Sequence, residues 1–239
     1  MPGEHPRLSF EQWVTSVFDH PLPARGELAW YHADRSWDDN EGMWLDTSQY
    51  PQTTVAYLTT LFENASSALV AFSEAQVNQG FWYLVDNACS DSMFTLLDTR
   101  VPWSERKRCL FAMFTLFERF FASRCSPHLS HLDTMQTDTS YINPLNSICY
   151  MWWDILPLHG KPEESALREI DAACLEVLRQ ILDLESEACC ESALHGLGHW
   201  SYAYRQQVQA IIDAWLARHL HIEDELKTYA LAARKGHVL

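Results

Sequence analysis

The sequence predicts an all-α fold, a single domain of about eight or nine helices stacked as antiparallel helix hairpins. Apolar residues recur at intervals of three and four along most of the 239-residue chain, which is the period of a helix with one buried face. Only 8 glycines are present, and runs of valine, isoleucine and threonine are scarce, so strands are disfavoured. With 47% hydrophobic and 13% aromatic residues, the chain has ample material for a core.

The first fifty residues combine one helix with an irregular segment. Ser9 and Gln12 have the spacing of a capping box, and the apolar residues that follow recur at helical intervals, so a helix begins near Phe10. Residues 26–50 mix acids with five aromatic side chains and show no clear period. We therefore expect this range to be an irregular, partly packed loop with one short helix.

The first helical half, 51–125, shows a strong periodic signal. One apolar stripe begins at Val55 and a second at Val77, so two antiparallel helices joined near Ser73 are the simplest account. One kinked helix is the alternative. The next helix contains residues 110–117, which are apolar on nearly every side, and this pattern predicts a helix at the centre of the core.

A loop, 126–143, separates the first helical half from the second, 144–239, and contains no lysine or arginine. In the second half, Pro144 and Pro162 each open a helix. A final helix begins near Glu223 with acids first and bases last, the order that the helix dipole favours. We therefore expect one domain, 1–239, divided at these points into 1–50, 51–125, 126–143 and 144–239.

One stretch of the second half resembles a HEAT-type helical repeat. The string from Glu191 to His199, ESALHGLGH, has the small-residue character of such repeats, and an amphipathic segment follows it after a turn. The resemblance covers about 35 residues, 185–219, and no regular period of about 40 residues extends through the rest of the chain. It implies a HEAT-like stack of helix hairpins, with an irregular bundle as the alternative, and a binding role without a particular partner.

The distribution of charge favours a basic protein partner. The net charge is −15, and residues 36–99 contain nine acids and neither lysine nor arginine. Such a field repels nucleic acid and anionic lipid, so neither is an expected partner, and it attracts cationic protein surfaces. Solubility alone is the alternative explanation of the acidity.

The expected compartment is the cytoplasm. Residues 1–10 are polar and lack the apolar core of a secretory signal. The longest apolar stretch, 110–121, is interrupted by polar residues and is shorter than the roughly 20 residues that span a bilayer. Seven cysteines, an odd number without any CxxC spacing, are typical of a reducing environment.

The acidic-aromatic segment, residues 37–44 (WDDNEGMW), is the most distinctive candidate for a partner-binding site. Tryptophans contribute buried area at interfaces, and carboxylates steer a cationic partner toward them. The alternative is a loop whose tryptophans cover the side of a helix stack. The predicted partner-binding residues are Trp37, Asp38, Asp39, Glu41 and Trp44.

Two groups of residues have the spacing of metal ligands. Glu191, His195 and His199 follow one another at intervals of four, so all three face one side of a helix, and two histidines at i and i+4 are a zinc-binding arrangement. Gly196 stands where the HExxH motif has its catalytic glutamate. The alternative is that small residues allow close helix packing while the histidines make local hydrogen bonds.

The second group lies in the 126–143 loop, where His128, His131 and Asp133 are closely spaced. This group would form a metal site by itself or supply a fourth ligand to the first group. A solvated loop rich in histidine and aspartate is the alternative interpretation.

Other catalytic signatures are absent from the sequence. It contains no GxSxG elbow, no GxGxxG fingerprint and no phosphate-binding GxxxxGK[ST] loop. Glu118 and Asp154 are acids within otherwise apolar helices and are candidates for acid-base groups.

The sequence therefore favours a non-enzymatic acidic helical protein that binds a basic protein and needs no cofactor, such as an immunity protein or antitoxin that neutralises a cationic toxin. One alternative is a metal-dependent helical enzyme that binds zinc through Glu191, His195 and His199. A second alternative is a small-molecule binding protein with a pocket lined by tryptophans, namely Trp82, Trp103, Trp152 and Trp153.

Overall fold

The computed structural model of the chain describes residues 8–24, 27–32, 45–135 and 142–238. Every regular element in these ranges is a helix, so the predicted all-α fold is confirmed. None of the described helices is long and apolar enough to cross a membrane. The α-helices are α1 (Phe10–Phe18), α2 (Pro51–Ala68), α3 (Glu74–Val85), α4 (Trp103–Leu116), α5 (Ala122–Arg124), α6 (Leu145–Ile155), α7 (Arg168–Leu182), α8 (Glu187–Arg218) and α9 (Asp224–Ala233).

Shorter helical turns connect these elements. A π-helical turn, Phe117–Phe121, joins α4 to α5. Tight 3-10 turns occupy Trp30–His32, Ser92–Leu96, Ser130–Met135 and Ser165–Leu167. The chain contacts divide into two compact units, Met1–Cys109 and Leu110–Leu239, which are described separately. The single domain expected from the sequence stays a prediction.

In the first unit, α1, α2 and α3 form a small core around Phe18. The Phe18 ring packs edge-on against Phe81 at 5.4 Å between centroids, and it occupies the space that a side chain at Gly80 would need. The capping box of Ser9 and Gln12 is present as predicted. A second capping box, at Ser73, begins α3, which confirms the two helices expected on either side of that serine.

In the second unit, α6, α7 and α9 all pack against α8. The predicted central helix is confirmed at its carboxyl-terminal end, because Leu110, Met113, Leu116 and Phe117 are all buried. Aromatic rings of the π-helical turn extend this core, and the Phe117 ring lies 5.8 Å from that of Trp152 on α6. Helix α8 is therefore the element around which the unit is organised.

Helix α8 is longer than its sequence pattern predicts. We expected the helix to end near Trp200 and to be followed by a turn, but 32 residues are helical with a single non-helical residue, Tyr204 (φ −127°, ψ 45°). The Tyr204 hydroxyl donates a 2.7 Å hydrogen bond to the buried carboxylate of Asp171 on α7. Asp171 also accepts a 2.8 Å hydrogen bond from the backbone N–H of Lys161, so one carboxylate holds the kink against the loop before α7.

Candidate metal site

Helices α6 and α8 approach each other closely because small residues line their contact. The Ser192 hydroxyl of α8 donates a hydrogen bond to the carbonyl oxygen of Cys149 on α6. One turn further along both helices, a Cβ atom added to Gly196 would lie 2.6 Å from the Cβ of Trp153. Since ordinary Cβ contacts are much longer, only glycine permits this approach. The contact places Asp154, the next residue of α6, beside α8.

Three possible ligand atoms meet at this contact. The Nε2 atoms of His195 and His199 are 3.2 Å apart, and His199 Nε2 is 3.3 Å from Asp154 Oδ1. One ligand atom from each residue lies within 4.8 Å of the other two. Atoms bound tetrahedrally to one zinc ion at about 2.0–2.1 Å are separated by roughly 3.4 Å. The two separations from His199 Nε2 therefore match ligands around a single ion, and a hydrogen bond between the two imidazoles gives a similar spacing.

The three side chains differ in their access to solvent. His195 is fully buried, whereas the side chains of Asp154 and His199 are 36% and 37% exposed. Burial, together with the nearby imidazoles of His199 and His131, lowers the pKa of His195 to about 3, so this ring is neutral at ordinary pH. A neutral imidazole offers a lone pair to a metal. The group therefore has one fixed, buried ligand and an open side formed by the other two.

A tyrosine holds the ring of His195 from behind. The Nδ1 atom of His195 lies 2.7 Å from the hydroxyl of Tyr229 on α9. That hydroxyl is 3.1 Å from the hydroxyl of Tyr150 on α6. Burial of Tyr229 and its hydrogen bond to Tyr150 raise the pKa of Tyr229 above its usual range, so this phenol keeps its proton. A hydrogen bond to the second ring nitrogen is typical of metal-binding histidines.

Glu191, predicted as the third ligand of this group, has a different set of contacts in the structure. Its buried carboxylate accepts backbone hydrogen bonds from Ser130 (2.8 Å) and His131 (3.0 Å), and it lies 2.6 Å from Nδ1 of the His131 ring. Among the residues described, Asp154 takes the position beside His195 and His199 that the sequence assigned to Glu191. Glu191 anchors the 3-10 turn Ser130–Met135 to α8.

The histidines of the 126–143 loop lie in two separate contacts. His128 Nε2 is 2.5 Å from Oδ1 of Asp133, a residue of the 3-10 turn Ser130–Met135. The His131 ring stacks on that of Tyr229, with 4.1 Å between centroids and 15° between planes. His131 therefore reaches the candidate site only through Tyr229, which links it to His195.

From the sequence, Asp154 was predicted only as an acid-base candidate in an apolar helix and not as a partner of the histidines. No spacing rule joins residues on separate helices. The available signal was the pair Trp153 and Gly196, a large residue on one predicted helix and the smallest residue on another. Complementary sizes of this kind indicate a close crossing only after the two helices are known to pack together.

Other predicted site residues fall outside these contacts. Trp37, Asp38, Asp39, Glu41 and Trp44 lie outside the described residues. Glu118 lies 3.5 Å from Arg119 in a half-exposed ion pair. Trp152 and Trp153 are buried in the core of the second unit, so neither is open to a ligand.

A solvent-open groove of about 570 Å³ lies on the second unit, between α7 and the part of α8 beyond its kink. Its walls are mostly apolar, and none of the three candidate ligands lines it. Arg179, at its edge, is already paired with Glu176 and Asp183. No tryptophan lines this groove, and the tryptophan-lined pocket stays a prediction.

No protein-family model, no curated protein and no solved structure matches the chain. The resemblance of residues 185–219 to a HEAT-type repeat therefore stays a prediction.

Proposed function

We propose that this chain binds a divalent transition metal, zinc in the first instance, through Asp154, His195 and His199. The observation that carries the proposal is the meeting of three ligand atoms from two helices within 4.8 Å, one of them on a fully buried, neutral histidine. This is the metal-binding alternative that the sequence predicted, with Asp154 in place of Glu191.

The composition of the group is compatible with zinc and with a site that supports chemistry. Structural zinc sites use four protein ligands, commonly cysteines, whereas catalytic sites use three, with histidines and a carboxylate among them, and leave one position open. Here the open side is formed by the half-exposed Asp154 and His199. Zinc in such a site lowers the pKa of a bound water to about 7 and so supports hydrolysis. We therefore propose a metal-dependent hydrolytic enzyme.

Replacing any one of the three ligands is expected to remove most of the zinc affinity. The test is calorimetric titration of metal-free protein with zinc, and the variants are Asp154→Asn, His195→Ala and His199→Ala. In the unchanged protein, zinc at 100 times its Kd is expected to stabilise the fold by about 2.7 kcal/mol, seen as a higher melting temperature. The variants are expected to lose this shift, because two ligands rarely hold zinc.

Two controls separate this site from its neighbours. Glu191→Gln is expected to lower zinc affinity less than Asp154→Asn does, because that carboxylate faces Ser130 and His131 and not the two histidine ligands. His221→Ala removes an exposed histidine and is expected to have no effect. If the unchanged protein binds no zinc, cobalt or nickel, the proposal is wrong. If Glu191→Gln and Asp154→Asn lower zinc affinity equally, Glu191 is also a ligand.

Binding of a basic protein is the second candidate, because residues 36–99 contain acids and no cation. The described part of this range shows two of its acids, Asp46 and Asp91, exposed to solvent. Arg100 and Arg108 neutralise two others through ion pairs with Asp98 (2.5 Å) and Glu63 (2.8 Å). The remaining acidic charge supports a partner with a positive surface.

Neutralising the acidic-aromatic segment is expected to weaken capture of a basic partner. The variant combines Asp38→Asn, Asp39→Asn and Glu41→Gln, and the measurement is a pull-down from the native host at low and high salt. Steering by charge predicts that raised salt reduces capture of the unchanged protein. A matched triple variant in the second unit, E163Q/E164Q/E169Q, is expected to retain capture. A partner held equally at both salt concentrations would contradict the role of charge.

A further inference from the structure

Helix α9 and the residues after it contact α8 on both sides of the candidate metal ligands. Tyr229 of α9 meets His195 through its hydroxyl. Beyond α9, the side chain of Val238 fills the space that a Cβ on Gly198 would need, at 2.5 Å. Gly236 has a φ of +77°, and a Cβ atom added to it would lie 2.6 Å from the Ser201 hydroxyl. This segment, 224–238, therefore packs against α8 immediately before and after His199.

Tyr229 is fixed from several directions. Its ring stacks on His131, which the buried carboxylate of Glu191 holds. Its hydroxyl lies within hydrogen-bonding distance of both His195 and Tyr150. With 6% of its surface exposed, the side chain has no alternative position in solvent. The orientation of His195 therefore depends on whether α9 is in place.

The contact between the Tyr229 hydroxyl and Nδ1 of His195 is suited to leave Nε2 free for a metal. An imidazole binds a metal through Nε2 only when the proton is on Nδ1, and that N–H needs an acceptor. The Tyr229 oxygen, 2.7 Å from Nδ1, can serve as that acceptor while its own O–H donates to Tyr150. Without Tyr229, a buried Nδ1–H would lose its partner, which is unfavourable. The tautomer of His195 that leaves Nε2 free would then be less populated.

We propose that metal binding and docking of segment 224–238 onto α8 are thermodynamically linked, with Tyr229 as the positioning residue that connects them. This inference rests on the proposed metal site and adds a form of regulation to it. Because linkage is reciprocal, docking of the segment raises metal affinity, and metal binding stabilises the docked segment. A partner or modification that displaced α9 would release the metal.

The test compares zinc affinity and amide hydrogen exchange in the unchanged protein and in Tyr229→Phe. The phenylalanine keeps the ring stack on His131 and removes only the hydroxyl. Zinc affinity, measured by competition with a chromophoric chelator, is expected to fall by about tenfold to a hundredfold. Zinc is expected to slow exchange across 224–238 in the unchanged protein and to slow it much less in the variant. Tyr202→Phe, which removes an exposed hydroxyl on the same ligand helix, is the matched control and is expected to change neither result.

A second variant, Gly236→Ala, loosens the segment without touching His195. Alanine is strained at a positive φ and would meet Ser201, so docking is weakened. Its zinc affinity is expected to fall by about fivefold or more. The linkage would be overturned if both variants had unchanged zinc affinity, or if zinc did not alter amide exchange across 224–238 in the unchanged protein. Either result would leave the proposed metal site intact. An unchanged protein that binds no zinc overturns the metal site and the linkage together.

Discussion

Replacing Gly196 by alanine is expected to destabilise the second unit by about 1–3 kcal/mol and to remove most of its zinc affinity. On an open helix face this substitution stabilises, by up to about 1 kcal/mol, because alanine is the better helix former. Here the added Cβ would lie 2.6 Å from Trp153 Cβ and 2.9 Å from Leu178 Cδ2. The clash with the Trp153 Cβ cannot be relieved by a side-chain rotation, so α6 has to move away from α8.

The effect on zinc follows from the same displacement. Asp154 is the neighbour of Trp153, so moving α6 separates its carboxylate from the two histidines of α8. The measurements are urea unfolding for stability and calorimetric titration for zinc. Gly198→Ala is the comparison for stability alone. Its added Cβ meets the outer methyl groups of Val238, which a small local shift can move, but Val238 belongs to the segment linked to zinc binding. A Gly196→Ala protein as stable as the unchanged one, with equal zinc affinity, would show that the close helix contact is not required.

Removing the carboxylate of Glu191 is expected to destabilise the second unit by about 3–5 kcal/mol. The side chain is fully buried and accepts hydrogen bonds from two backbone N–H groups while it contacts the His131 ring. Alanine at this position would leave both backbone donors and the imidazole without an acceptor. Each buried donor left unsatisfied costs about 1–3 kcal/mol, and a cavity adds to that cost.

The measurement is urea unfolding of Glu191→Ala, with Glu191→Gln and Glu187→Ala as comparisons. Glutamine keeps the shape and one acceptor oxygen, so its loss is expected to be intermediate. Glu187 lies one turn earlier on the same helix and is partly exposed, so its removal is expected to cost less than about 1 kcal/mol. Equal destabilisation by Glu191→Ala and Glu187→Ala would contradict the anchoring role of the buried carboxylate.

Local signals predicted the helices well because they depend on neighbouring residues. The capping box at Ser9 and the helix boundary at Ser73 follow from the residues within one turn of each serine. At Tyr204 the sequence predicted a full turn, whereas the structure has a kink. The kink is held by the hydrogen bond from Tyr204 to Asp171 on another helix. Sequence periodicity contains no information about such a partner.

The candidate site was predicted in part, for a related reason. Spacing by four placed Glu191, His195 and His199 on one face of one helix, and this face is what the structure shows. A helix face, however, meets different neighbours along its length. At Glu191 it meets the turn after Leu129, at His195 it meets α9, and at His199 it meets solvent and Asp154. The third candidate ligand, Asp154, lies on another helix, which no local rule identifies.

The half-exposed position of Asp154 and His199 has a consequence for the identity of the metal. If the proposed site binds a metal, an ion could enter and leave from that side and a chelator could reach it, so we expect faster exchange than at an enclosed site. A set of two imidazoles and one carboxylate binds copper(II) more tightly than zinc, following the Irving–Williams order. An ion bound to the proposed site after purification would therefore reflect which metals were supplied. The physiological metal is best identified in protein taken from its native host.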